Sequence, residues 1–392
     1  MSGISVPSRT YNVLASGKPT GAPCRAIKIH EAEGCRAIQD RNQRAEQQMT
    51  GPGILLVTGG SGFLGSAIVA LARQSRSRIR IFDRSPKGNV EDTELIVGDL
   101  SDHSALRRAC DEVSTIIHAA GLAHAFGSRA RDIDRFTLAN EMGTDNLVKA
   151  ALDAGVSHIV LVSSVAVYGR TNGATLDETA NCAPETPYAV SKWRAELRAT
   201  ERMADSAAKL TILRFATMYG IGDSGSVARL IRGLAGSTFI GFGTGLNRKH
   251  LIYRDDAARA CLAASEGSGS RCGVFNVSGP PSTMRDIVVS ICEALGRPQP
   301  RLWIHEDLVK LTSLAAEALG DPFQVSQAIR KFTRDDSYSG AKFERDYGLQ
   351  ALTPPSEGIR NEVAWLLSIG KQAKDSSPFQ AETQPVNQEC LK

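Results

Sequence analysis

The chain has 392 residues, of which 42% are hydrophobic and 22% charged, and a net charge of +4. That length suits one large α/β unit with a smaller lobe and is enough to bury a substantial core. The positive charge is spread out without a basic block, which argues against nucleic acid or a membrane surface as partner, and no apolar run reaches the roughly 18 residues that a bilayer span needs. Cys24, Cys35, Cys110, Cys182, Cys261, Cys272, Cys292 and Cys390 include no Cys-x-x-Cys pair. They are expected to be reduced thiols in a cytoplasmic protein. His118 and His124 are the close histidine pair of the core, and no carboxylate and His cluster completes a site around them, so no metal is expected.

Residues 1–50 show no sustained hydrophobic period and no apolar signal segment, and read as a flexible extension; Met49, just before the first strong strand, is a candidate start. From there short apolar, β-rich runs alternate with helical patterns: ILLVT (54–58), IRIFD (79–83), LIVG (95–98), TIIH (115–118), HIVLVS (158–163) and LTILR (210–214), with GVFNVSG (273–279) as one more strand. FLGSAIVALARQ and NEMGTDNLVKAALDAG are two of the intervening helices. This alternation predicts an α/β fold, a Rossmann-like doubly wound parallel sheet covered on both faces. The segments 215–250 and 280–370 do not continue it and are assigned to a smaller C-terminal substrate-binding lobe. Residues 51–214 and 251–279 form the dinucleotide-binding core of a unit spanning 51–370. The Gln-, Ser- and Pro-rich tail, 371–392, reads as disordered.

VTGGSGFLG follows the first strand and opens the first helix. Gly59, Gly62 and Gly65 there allow a tight turn, a close phosphate and close helix–strand packing, while the helix start, Phe63 and Leu64, presents N–H groups to a pyrophosphate. Asp83 ends the second strand, where a carboxylate accepts both ribose hydroxyls and repels a 2′-phosphate, which favours NAD; Arg84 partly offsets the repulsion. YAVSK (188–192) places Tyr188 and Lys192 one turn apart on one helix face.

The spacing Thr-Gly-x-x-Gly-x-x-Gly, with GDL (98–100), HAAG (118–121), NEMGTDNL (140–147), VSSVAVYG (162–169), YAVSK and LRFATMYG (213–220), resembles the extended short-chain dehydrogenases/reductases, in particular the NAD-dependent nucleotide-sugar epimerase/dehydratase family, over roughly residues 54–369. The resemblance implies that Asp99 and Leu100 flank the adenine, that the backbone of Ala119, Ala120 and Gly121 lines the cofactor, and that Asn140 supports the active-site lysine. It makes Ser164, Tyr188 and Lys192 the catalytic set, with Ser163 the lesser choice of hydroxyl. A free tyrosine has a pKa of about 10. The Lys192 charge and oxidised nicotinamide are expected to lower that of Tyr188. Lys192 would also anchor the nicotinamide ribose.

Where family dehydratases, decarboxylases and 3,5-epimerases carry an acid or a Cys after the catalytic hydroxyl, this chain has Val165 and Ala166. That leaves hydride transfer at one carbon, and so a 4-epimerase acting on a nucleotide sugar, a UDP-sugar by expectation. The alternatives are a 4-keto-sugar reductase, a 3β-hydroxysteroid-dehydrogenase-like enzyme or an inactive NAD-sensing protein. Thr217 stands at a substrate-contacting position and leans towards an acidic sugar. Arg248 or Lys249 is the diphosphate ligand, depending on one gap. A homodimer is implied by family analogy alone.

Overall fold

The computed structural model describes residues 53–75, 78–85, 93–123, 130–236, 239–266, 272–305, 308, 332–350 and 353–375. The N-terminal extension and His124 lie outside these residues. Residues 371–375, read from the sequence as the start of a disordered tail, instead continue the last helix, Pro355–Asp375, and the rest of that tail lies outside the described residues.

All seven expected strands form, and they make one parallel sheet in the order β10-β6-β5-β4-β1-β2-β3. The strands are β1 (Ile54–Thr58), β2 (Ile79–Asp83), β3 (Glu94–Val97), β4 (Val113–His118), β5 (His158–Ser164), β6 (Lys209–Phe215) and β10 (Gly273–Val277). The sequence of β1 shows why the sheet is covered twice. Its side chains alternate between two cores: Leu55 and Val57 join one, Ile54 and Leu56 the other. The first core includes Ala67 and Ile68 of α1 (Phe63–Ala72). The second includes Leu106 of α2 (His103–Cys110), Leu147 of α4 (Gly143–Asp153) and Ala199 of α5 (Pro187–Met203), while α3 (Ala130–Phe136) precedes α4 in the chain. Leu55 and Leu56 are fully buried, so truncating either to Ala would cost about 2–5 kcal/mol.

Two smaller sheets form outside this layer. The first joins β7 (Thr217–Tyr219), β9 (Arg248–Tyr253) and β11 (Pro281–Thr283); the second joins β8 (Gly241–Phe242) and β12 (Trp303–Ile304). A third apolar core unites Tyr219, Leu251 and Tyr253 with three helices. These helices are α6 (Ser226–Ala235), α8 (Met284–Leu295) and the last helix, α10 (Pro355–Asp375); α7 (Arg254–Ser265) and α9 (Ala341–Tyr347) lie between them in the chain. Among the described residues no helix is long and apolar enough to cross a membrane.

One helix departs from the expected pattern. Before α4 the chain makes a π-helical turn over Thr137–Met142, and Asn140 sits inside it. A π turn carries one extra residue per turn and shows no distinct hydrophobic period, so the pattern of NEMGTDNLVKAALDAG reads as plain α-helix.

Candidate active site

The cradle after β1 is built as its glycines require. Gly59 has φ +69°, in the left-handed region, and a Cβ there would sit 2.7 Å from the Ala120 Cα. A Cβ at Gly65 would sit 2.0 Å from the Gly59 carbonyl oxygen, so the helix can start against the turn only without one. Gly62 caps α1 without a side-chain bond, which leaves first-turn N–H groups open. Ser61 Oγ is buried in the same turn with no hydrogen-bond partner among the described residues. An orphan hydroxyl, open helix N–H groups and a surface that rejects side chains fit a pyrophosphate, and hence the expected NAD.

Asp83 closes one side of the cradle. Its two oxygens accept from the Ser61 and Ser85 N–H groups at 3.0 Å each, which fixes the carboxylate and leaves lone pairs for ribose hydroxyls. Arg84 leans towards Asp99, 3.8 Å away. Asp99 is held below the ordinary carboxylate range by the Ser101 N–H and hydroxyl. Leu100 packs where a Cβ on Gly143 would fall, 2.7 Å from Leu100 Cδ1.

The HAAG segment is fastened from beneath. His118 is buried between Thr58 Oγ1 (2.7 Å) and Thr144 Oγ1 (3.0 Å), and burial pushes its pKa down to about 3. It is therefore neutral and serves as a strut. Thr58 Oγ1 also accepts the Ala120 N–H at 3.2 Å. Asn140 Oδ1 accepts the Leu122 N–H at 2.7 Å, and its amide donates to the Leu122 carbonyl and to Ser191 Oγ. Asn140 thus ties the backbone after HAAG to the helix that carries Tyr188 and Lys192. Its neighbour towards Lys192 is Gly121, whose Cβ would lie 2.9 Å from Asn140 Oδ1 and 3.3 Å from Lys192 Nζ.

Tyr188 and Lys192 lie in the first turns of α5. Thr186 caps that helix, accepting the Ala189 N–H at 3.2 Å, and Pro187 follows at a position that needs no N–H donor. Ser164 ends β5 beside the Tyr188 phenol, close enough to favour its ionised form. The structure therefore brings Ser164, Tyr188 and Lys192 together. Ser163 points the other way, as strand alternation dictates, and its hydroxyl donates to Glu196.

In the chain alone, burial works against the expected lowering of the Tyr188 pKa. The Tyr188 pKa is raised, because burial outweighs the effect of Ser164. Burial also pushes Lys192 down to about 8, against the opposing pull of Glu196, and Lys192 Nζ donates to the Val162 carbonyl at 2.9 Å. Desolvation thus exceeds the charge effect that sequence spacing suggested.

Beneath this set lies a buried network that motif reading missed. Glu196 takes three hydrogen bonds from Arg214, the shortest 2.6 Å from Nη2. Arg214 Nη1 donates to the Tyr168 hydroxyl at 2.9 Å, which donates to Asn276 Oδ1 at 2.8 Å. The signal was present: Glu196 is one further turn along the Tyr188–Lys192 face, and Arg214 is a charge inside an apolar strand.

For the substrate side, the structure separates the two candidate cations. Lys249 is buried, ion-paired with Asp336 at 2.7 Å, and donates to the Arg334 carbonyl. Arg248 is exposed and lines a cleft of about 510 Å³ with Thr175, His250 and Ser337. Thr217, half-buried at the start of β7, is not among the residues that line that cleft.

Known proteins resemble this chain along most of its length. A family model, NAD dependent epimerase/dehydratase family, matches residues 55–278. A 2-alkyl-3-oxoalkanoate reductase of Stenotrophomonas maltophilia is 29% identical over 326 residues, covering 78% of this chain and 97% of the reductase. An N-acetyl-alpha-D-glucosaminyl-diphospho-ditrans,octacis-undecaprenol 4-epimerase of Escherichia coli O157:H7 is 27% identical over 339 residues, covering 84% and 99%. Among solved structures, MoeE5 in complex with UDP-glucuronic acid and NAD superposes with a TM-score of 0.67 at 26% identity, covering 81% of this chain and 100% of MoeE5.

Proposed function

The chain belongs to the NAD-dependent epimerase/dehydratase family, and from that premise we propose that it epimerises a nucleotide sugar, a UDP-sugar, at C4 through a 4-keto intermediate. The observation that carries this reading is the meeting of Ser164, Tyr188 and Lys192 beside the cradle, with the aliphatic Val165 and Ala166 following Ser164. Bound NAD supplies the hydride acceptor and donor at C4. Tyr188 Oη takes the C4 hydroxyl proton as that hydride leaves and gives it back when hydride returns to the other face. Ser164 Oγ holds the reacting oxygen. Burial favours the protonated phenol that closes the cycle, while Ser164 favours the phenolate that opens it, and the Lys192 ammonium one helical turn on would add to that. Arg248, exposed at the cleft, would neutralise the substrate diphosphate.

The test is turnover of a panel of UDP- and GDP-sugars, lipid-diphosphate-linked N-acetylglucosamine included, by purified protein with and without added NAD(H). Interconversion of C4 epimers without added coenzyme is expected. Stoichiometric consumption of coenzyme with a one-way product would instead support a second reading, a keto-group reductase. The similarity to the 2-alkyl-3-oxoalkanoate reductase over 97% of its length favours that alternative.

A further inference from the structure

The dinucleotide cradle is braced on its outer side by a loop of the smaller sheets, and that loop hangs on a pair of buried carboxyl groups. Gly222, with φ +92°, lies against the ring of Phe63, the first residue of α1: a Cβ there would meet Phe63 Cδ2 at 3.5 Å. Arg254 Nη1 holds the preceding carbonyl, that of Ile221, at 2.6 Å. Gly220 donates its N–H to Glu362 Oε2 of α10 at 2.9 Å. Asp223 ends the loop and caps α6, accepting the Gly225 and Ala228 N–H groups at 2.6 and 3.1 Å.

Glu362 is 0% exposed and Asp223 4%. Asp223 uses each of its oxygens as an acceptor of a backbone N–H, which requires the carboxylate. Glu362 Oε1 receives no donor from any described residue. As a carboxylate it would bury an unsatisfied oxygen close to the like charge of Asp223; as the neutral acid it removes that repulsion and has a proton to offer the Asp223 carboxylate. The surroundings supply little compensation. Arg232 of α6 is the cation that acts on Glu362, Tyr219 and Tyr253 face it from the strands, and α8 presents Ile287, Val288, Ile291 and the Cys292 thiol to the shared core.

We propose that Glu362 is a positioning residue for the dinucleotide: its proton, offered to Asp223, keeps the Gly220–Asp223 loop seated against Phe63 and so holds the cradle in its binding shape. Burial and Asp223 push the Glu362 pKa up to about 8. Ionisation above that value sets two buried carboxylates against each other and releases the loop. The sign for stability follows from linkage. The folded chain holds this proton where the unfolded chain has lost it, so the stabilisation is complete at acid pH and is lost as pH rises towards 8.

The inference rests on dinucleotide binding and not on the sugar chemistry, and its test uses no substrate. NADH affinity is measured by fluorescence titration, and melting temperature by calorimetry, for the parent chain and Glu362→Gln from pH 6 to pH 10. Gln is neutral at every pH, accepts from Gly220 and has an N–H to offer Asp223. Lys192 loses its proton over the same range in both proteins, so the difference between them reports the carboxyl pair. The parent affinity should fall more steeply, by up to about tenfold per pH unit above 8. Its melting temperature should decline from pH 6 to 8 more than that of Glu362→Gln. Parallel affinity curves would overturn the proposal. If Glu362→Gln does not fold, Arg232→Met, which removes the cation that favours ionised Glu362, must move the onset of the affinity loss to higher pH, and an unchanged onset would overturn the proposal.

Discussion

Lys192 and Lys249 are two lysines on buried ground, and each ends on a main-chain carbonyl. Their settings differ in one respect. Lys249 also has Asp336 at 2.7 Å, which takes up its charge. Among the described residues Lys192 has no carboxylate at ion-pair distance; Glu196, one turn on, is turned towards Arg214 and Ser163. A buried ammonium without a partner is unstable, and its pKa of about 8 records this. The same property makes it useful, since an uncompensated charge can act on a phenolate or a ribose. Lys249 is a fastening between β9 and the segment 334–336, and Lys192 is the lysine that the proposed chemistry uses.

If that contrast holds, the largest effects belong to the Lys192 side. Tyr188→Phe keeps the ring and its edge contact with Phe136, so folding and NAD binding should survive. The rate at saturating substrate should fall by about 10²–10⁴-fold, the usual share of a general acid–base group. Lys192→Met should do similar damage and also weaken NAD. The double variant should cost far less than the product of the two, because the residues act as one unit. Parental turnover by Tyr188→Phe would break the assignment of the site.

Arg248→Ala should act differently, raising KM by roughly tenfold to a hundredfold with little change in kcat, as expected for a lost hydrogen bond to a charged group, worth about 1.5–3 kcal/mol. Lys249→Met should leave KM nearly unchanged and lower unfolding stability by about 1–3 kcal/mol. Asp336 keeps Arg334 at 2.8 Å, which limits the loss. A KM effect from Lys249 and none from Arg248 would reverse the comparison.

How much of this was legible in the sequence follows from the kind of signal each part leaves. The seven strands were readable because each is a short apolar run with turn residues on both sides, and β1 sends alternate side chains into opposite cores. That Ser164, Tyr188 and Lys192 belong to one site was expected from motif order, and they do lie on adjoining elements, the end of β5 and the start of α5. That Arg248 is exposed and Lys249 buried was not readable, because adjacent strand residues face opposite sides and a single gap exchanges them. The raised Tyr188 pKa was equally hidden, since spacing reports which charges are near but not how much water is excluded. Pairs such as Glu196 with Arg214, or Glu362 with Asp223, join residues distant in sequence with no spacing rule, and only packing reveals them.

The smallest expected effect concerns coenzyme choice. Asp83 stands at the end of β2 with each oxygen held by one backbone N–H, from Ser61 and from Ser85. Those bonds fix the carboxylate where a 2′-phosphate would meet its negative charge. Asp83→Ala removes the repulsion and the acceptor for the ribose hydroxyls, at a cost to the Ser61 turn. Arg84 is the nearest cation, but it is 77% exposed and leans on Asp99 at 3.8 Å; such a surface pair is worth at most about 1 kcal/mol and does not withhold the guanidinium for long. The ratio of NADP to NAD affinity should therefore rise by about fivefold to thirtyfold, equivalent to roughly 1–2 kcal/mol. Adding Asp99→Asn should raise it slightly further by releasing Arg84. Titration of both coenzymes against the three proteins checks this. An unchanged ratio in Asp83→Ala would mean that Asp83 braces the Ser61 turn and does not meet the ribose.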